Sequence, residues 1–167
     1  MKKKLSPTVF LAQAAMIAAL YIVLTFIANA LGLANYAIQV RFSEALTILP
    51  YFTPAAIPGL FAGCLLSNIL TGCMPLDVLF GSLATLIGAL GTYALRKHKW
   101  LAPLPPILAN IIVVPLVLSY VYQFEGSLPY FALTVGIGEF ISCGILGIIV
   151  LNTLQKHAGK IFQGIYK

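Results

Sequence analysis

Apolar residues run almost unbroken over residues 9–33, 45–70, 76–95, 100–122 and 128–154, and the breaks between these runs together with the two termini hold most of the charge. Neither the alternation of a half-buried strand nor the narrow stripe of a surface helix is present. A helix needs about 20 residues to cross a hydrocarbon core about 30 Å thick, and every run supplies them. Taken at face value, the pattern predicts five crossings.

The charges argue for six. With Lys2, Lys3 and Lys4 in the cytoplasm, the first helix delivers residues 35–44 to the outside. A single crossing by 45–70 would then strand Arg96, Lys97 and Lys99 on the outer face, against the rule that basic flanks stay inside. If that stretch goes in and returns, the cluster falls inside together with Lys156, Lys160 and Lys167. Pro50, Pro54 and Pro58 cannot share one undisturbed helix, and Phe52-Thr53-Pro54 is the natural turn. The expected fold is an all-α membrane protein, one domain over residues 1–167, with both termini cytoplasmic. Its six helices are expected near 8–33, 43–52, 55–71, 76–96, 100–122 and 128–155. The second and third are too short to cross unaided and need shielding by neighbours. Ala28-Asn29-Ala30 imitates a signal-peptide cleavage site, but the run before it exceeds a signal core, so the first helix is expected to be retained.

Composition narrows the class. Of 167 residues, 60 % are hydrophobic and 8 % charged, with a mean hydropathy of +1.00. Four acids and ten bases cannot give a soluble fold its polar skin. The net charge of +6 does not point to nucleic acid, because nine of the ten bases flank apolar runs. Cys64, Cys73 and Cys143 lack the spacing of a metal site and read as small packing residues.

Small residues recur at helix-packing spacing: Ala14/Ala18 and Ala15/Ala19 in the first helix, Gly59/Gly63 in the third, and Gly136, Gly144 and Gly147 in the last. Such stripes serve either packing inside the bundle or docking of a partner membrane protein.

Charges within an apolar chain are functional candidates by default. Arg41 and Glu44 stand where the second helix begins, and Asp77 at the outer start of the fourth. Glu139 lies about 11 residues into the last helix, roughly 16 Å deep at 1.5 Å per residue, with no Lys or Arg expected at its level. Asn68, Asn110, Tyr120 and Tyr122 accompany these charges. Arg41, Glu44, Asn68, Asp77 and Tyr120 map to the outer half, and Glu139 and Asn110 are expected to floor the cavity they surround. Blander readings stand beside these: Arg41 can pair with Glu44 across a helical turn, Asp77 can cap a helix, and Glu125 is a solvated loop residue. Carboxylates and amides with a single outer arginine suit a small, flat, neutral or cationic polar ligand, and suit a phosphate or polycarboxylate poorly.

No HExxH, GxSxG or GxxxxGK[ST] motif is present, and His98 and His157 lie in basic breaks. The chain is also short for a transporter of two related halves. A binding subunit energised by other proteins fits better than an enzyme.

The runs QVRFSEALTILPYFTPAAIPGLFAGCLLSNIL at 39–70, DVLFGSLATLIGAL at 77–90, LAPLPPILAN at 101–110 and VGIGEFISC at 135–143 resemble the QueT family. Members of that family are substrate-binding S components of energy-coupling-factor (ECF) transporters for queuosine precursors. The resemblance covers roughly residues 12–154. It implies a six-helix S-component bundle in the bacterial cell membrane, with a substrate site in its outer half capped by the loop between the first two helices. The implied cargo is a 7-deazaguanine such as preQ1, preQ0 or queuine, or the nucleoside queuosine. The implied partners are a membrane T component, docked on an AxxxA stripe, and two cytoplasmic ATPases. In this reading the chain carries no cofactor, and the ATPases hydrolyse the ATP. Ala15/Ala19 match the stripe, with Ala14/Ala18 as the other register.

Overall fold

The computed structural model describes residues 6–33 and 39–161, except for the side chains of 159 and 160. The loop expected over the site at 34–38, Lys2, Lys3, Lys4 and Lys167 therefore lie outside the described residues, as does the side chain of Lys160. The described residues form helices and turns without a strand. Helix α1 (Pro7–Ala30) starts where Ser6 Oγ accepts from Val9 N at 3.3 Å, with Pro7 in the first turn, where no N–H is needed. A 3₁₀ segment (Phe42–Tyr51) comes next, then α2 (Ala56–Leu70) and α3 (Pro75–Ala94). Helices α4 (Leu104–Val121) and α5 (Leu128–Gln155) each contain a π-helical stretch, Val117–Val121 and Phe140–Leu146 respectively. A short α6 (Ala158–Ile161) ends the described chain.

Four of these helices, α1, α3, α4 and α5, are long and apolar enough to cross a membrane, while α2 is apolar but has only 15 residues. The chain turns between Tyr51 and Ala56, as the prolines require. Pro50 closes the 3₁₀ segment, and Pro58 falls in the first turn of α2, where its missing N–H costs nothing. Thr53 Oγ1 ties this turn to α1 by donating to Gln13 Oε1 at 2.9 Å.

The distribution of side chains is the reverse of a soluble domain. Leu11, Leu108, Ile112, Leu133 and many other large apolar residues face outward, whereas Ser43, Thr47, Ser67, Ser82, Thr85 and Thr92 are buried. Between helices, small residues let backbones touch. A Cβ on Gly59 would stand 2.7 Å from the Ala14 carbonyl oxygen, and one on Gly63 would stand 3.1 Å from Ala18 Cα. The α3–α4 seam is similar, with Gly88 against Pro106 and Gly91 against Pro105. Ala14 and Ala18 are thus packed on α2 and buried, whereas Ala15 and Ala19 face outward.

Candidate functional site

A cavity of about 470 Å³ opens among α1, α2, α3 and α4, within the roughly 300–1,000 Å³ common for small-molecule sites. Thr25, Arg41, Asn68, Asp77, Val114 and Tyr122 are among its lining residues. Asn68 and Asp77 reach it from α2 and α3 across Gly81, where an added Cβ would lie 3.2 Å from Asn68 Nδ2 and 3.5 Å from Asp77 Oδ1. Asp77 sits in the first turn of α3, favourable for a negative charge, and its Oδ2 accepts from Tyr122 Oη at 2.8 Å. Tyr122 Oη in turn accepts from Met74 N at 3.3 Å.

Beneath the cavity lies a buried polar cluster. On three helices, a lining residue has a cluster member four positions deeper: Tyr21 under Thr25, Cys64 under Asn68 and Asn110 under Val114. Four residues make about one turn, or 5.4 Å. Glu44, 2 % exposed, and Glu139, 8 % exposed, come into this level from the 3₁₀ segment and α5. Tyr21 Oη donates to Glu44 Oε1. Cys143 Sγ donates to Glu139 Oε2 at 3.1 Å. Asn110 is near enough to interact with both carboxyls, yet Glu44 Oε2 has no hydrogen-bond partner among the described residues.

The order of these elements comes from close backbone contact. Residues 39–41 pack directly on α5, and a Cβ on Gly138 would fall 2.1 Å from the Gln39 carbonyl oxygen. Arg41 N then donates to Ser142 Oγ at 3.1 Å. This carries Arg41 down to the level of Glu139, correcting the expectation that no cation shares that depth. Arg41 has Tyr21, Glu44 and Asp77 as electrostatic neighbours and so belongs to both levels. In place of the alternative pairing of Arg41 with Glu44, Glu44 Oε1 accepts from Tyr21 Oη, and Oε2 has no hydrogen-bond partner among the described residues.

Of the expected site residues, the structure brings Arg41, Asn68 and Asp77 to the cavity wall and Glu44, Asn110 and Glu139 to the cluster below it. Asn110 is therefore one turn beneath the floor it was expected to form, and Glu139 too is absent from the cavity's lining. Tyr120 is displaced: it is 70 % exposed on the outer surface, and Tyr122 takes its place. The cause is the π stretch in α4, where Tyr122 N bonds Val117 O five residues back. Each residue there turns the chain less than in an α-helix, so the inward face arrives later. Tyr21 escapes sequence reasoning because a tyrosine in an apolar run reads as packing. Its position midway along a crossing helix, far from either interface where amphipathic rings collect, is the available signal.

Arg41 aside, the cluster holds more acceptors than donors, since two carboxyls face one phenol, one thiol and one amide. It suits a ligand that brings N–H groups. Glu44, Glu139 and Cys143 also place ligand atoms within 4.8 Å of one another, a set that spacing in the sequence does not reveal and that a divalent cation could use.

A buried carboxylate pair under an open cavity, in a bundle with an apolar outer surface, is the arrangement expected where a polar solute enters a membrane protein. The queuosine precursor transporter QueT of Lactococcus lactis subsp. cremoris (strain MG1363) is 28 % identical, over 92 % of this chain and 96 % of that protein. No solved structure matches the chain. Residues 11–156 match the QueT transporter family, which takes in the seams, the cavity and the buried acids alike, and the chain belongs to that family of multi-pass membrane transporters.

Proposed function

We propose that this protein is the substrate-binding S component of an ECF-type importer and that it takes up a 7-deazaguanine precursor of queuosine. The observation that carries this reading is the acceptor-rich Glu44–Glu139–Asn110 level under a cavity rimmed by Asp77 and Tyr122. The pyrimidine edge of a deazaguanine brings adjacent N–H donors to the carboxyls, and a cationic side arm would find Asp77 at the rim. Arg41 lines the cavity and has Glu44 as an electrostatic neighbour, so it links the two levels.

In this reading the pair formed by the 3₁₀ segment and α2 goes in and returns, giving six helices with both termini cytoplasmic. That topology keeps Arg96, Lys97 and Lys99 on the cytoplasmic side of a bacterial cell membrane. Chemistry and energy are divided between chains: this one binds, and two ATPase subunits act through a membrane T component. The outward-facing Ala15 and Ala19 support docking by that stripe. Ala15→Leu should abolish assembly with the T component in co-purification while leaving ligand affinity unchanged.

Calorimetric titration of the purified protein with preQ1, preQ0, queuine, queuosine and guanine tests the cargo, with riboflavin and biotin as controls. Submicromolar binding of a deazaguanine, lost in Glu139→Gln, is the expected result. Tight binding of a control instead would keep the S-component architecture and replace the cargo with another flat vitamin-like molecule. Silence toward every ligand from folded protein would favour a membrane scaffold.

A further inference from the structure

The cluster contains one atom that nothing among the described residues satisfies. Glu44 is almost wholly buried, and its two oxygens have different fates: Oε1 accepts from Tyr21 Oη, and Oε2 has no partner among the described residues. A buried carboxylate oxygen without a donor is costly, and such atoms are rare in folded proteins. Tyr21 is itself fixed. It is buried against α2, where a Cβ on Gly63 would stand 2.7 Å from Tyr21 Cβ. One turn above it, Thr25 Oγ1 lies 2.9 Å from the Tyr21 carbonyl oxygen and 3.0 Å from Ser43 Oγ, bracing α1 against the residue that precedes Glu44. On the far side, Cys143 lies between Glu139 Oε2 at 3.1 Å and the Glu44 carbonyl oxygen at 3.5 Å, keeping the two acids at one level.

We propose that Tyr21 is a positioning residue that sets ligand selectivity by occupying one oxygen of Glu44, so that the other is held, with the Glu139 carboxyl, for two N–H donors on neighbouring atoms of a planar ring. The inference rests on the cargo reading above and sharpens it: the site reads the 2-amino group together with the adjacent ring N–H. A ring lacking the 2-amino group leaves one buried oxygen unpaired, and sites built on such bonds reject the analogue that lacks the donor. Tyr21 matters because Arg41 is also a neighbour of Glu44. A carboxylate released from the phenol is free to turn toward that guanidinium, and its discrimination goes with it.

The test compares the affinities of 7-deazaguanine and 7-deazahypoxanthine, which differ by the 2-amino group, for the intact protein in detergent. The wild type should prefer 7-deazaguanine by about 10–100-fold, the range for a hydrogen bond to a charged group. In Tyr21→Phe the preference should fall below about fivefold, with 7-deazahypoxanthine bound about as well as before. A merely structural loss would weaken both ligands together and leave their ratio intact, and that outcome overturns the proposal. Glu44→Gln, of equal size, provides the second variant if Tyr21→Phe does not fold; persistence of the preference there also overturns it. A wild type that binds both ligands equally sinks the proposal and leaves the cargo class standing. A folded wild type that binds neither, nor any queuosine precursor, sinks the cargo reading itself.

Discussion

The glycine seams and the acidic level beneath the cavity hold the same helices by opposite means. In the α1–α2 and α3–α4 seams, backbones approach until no side chain fits between them. At the level of Glu44 and Glu139, the helices are held by hydroxyl, thiol and amide groups, and one oxygen is left without a bond among the described residues. In lipid, close packing replaces the hydrophobic drive that would hold soluble helices together. The seams can therefore be dense and chemically silent, and that rigidity lets a nearby polar level remain incompletely satisfied. The difference separates the contacts that keep the bundle folded from the groups that the proposed function assigns to a ligand.

Substitutions on the two sides should fail differently. The largest effect is expected for Gly59→Val, whose Cβ would meet the Ala14 carbonyl oxygen at 2.7 Å. Overpacking of this kind costs about 1–3 kcal/mol, and the backbone contact places it at the upper end, so thermal unfolding in detergent should show a marked loss of stability. Next is Gly138→Ala, which pushes residues 39–41 off α5. The helix packs elsewhere along its length, so the protein should still fold and lose ligand affinity by about tenfold or more in a calorimetric titration. If Gly138→Ala unfolds the protein while Gly59→Val is tolerated, the division between seam and site is wrong. A smaller effect is expected for Tyr122→Phe, which removes the donor to Asp77; one such bond is worth about 1 kcal/mol, or about fivefold in affinity. Tyr120→Phe, on the outer surface, should change binding by less than about twofold, and the contrast between these two tyrosines isolates the effect of the π stretch.

That contrast also shows where the sequence could be read and where it could not. The prolines at 50, 54 and 58 announced the break between the 3₁₀ segment and α2, because a missing N–H acts locally. Gly59 and Gly63 announced close packing for the same reason, and Ala14 and Ala18 proved to be the residues they pack on. The candidate site residues stood out as a set, since charge in an apolar chain is conspicuous, but the finer arrangement was not legible. Placing Tyr120 inward assumes 3.6 residues per turn through a stretch that bonds i to i+5. Expecting no cation near Glu139 assumes that Arg41 stays clear of the last helix, whereas Gly138 admits the backbone of its segment against α5. Both errors concern geometry that periodicity does not encode: a local change of helical pitch, and a contact made far along the chain.

The 3₁₀ segment has a further consequence for how this protein can vary. With three residues per turn, its side chains fall on three straight edges, and Glu44, Thr47 and Pro50 share one. The Thr47 hydroxyl lies 3.4 Å from Cys143 Sγ, so that edge faces α5. Removing or adding one residue between 44 and 50 would rotate the remainder of the segment by about a third of a turn and hand each edge to the wrong neighbour. Length changes in this stretch are therefore tolerable only in threes, and a gap of any other size in a related chain marks a protein that has rebuilt its acidic level.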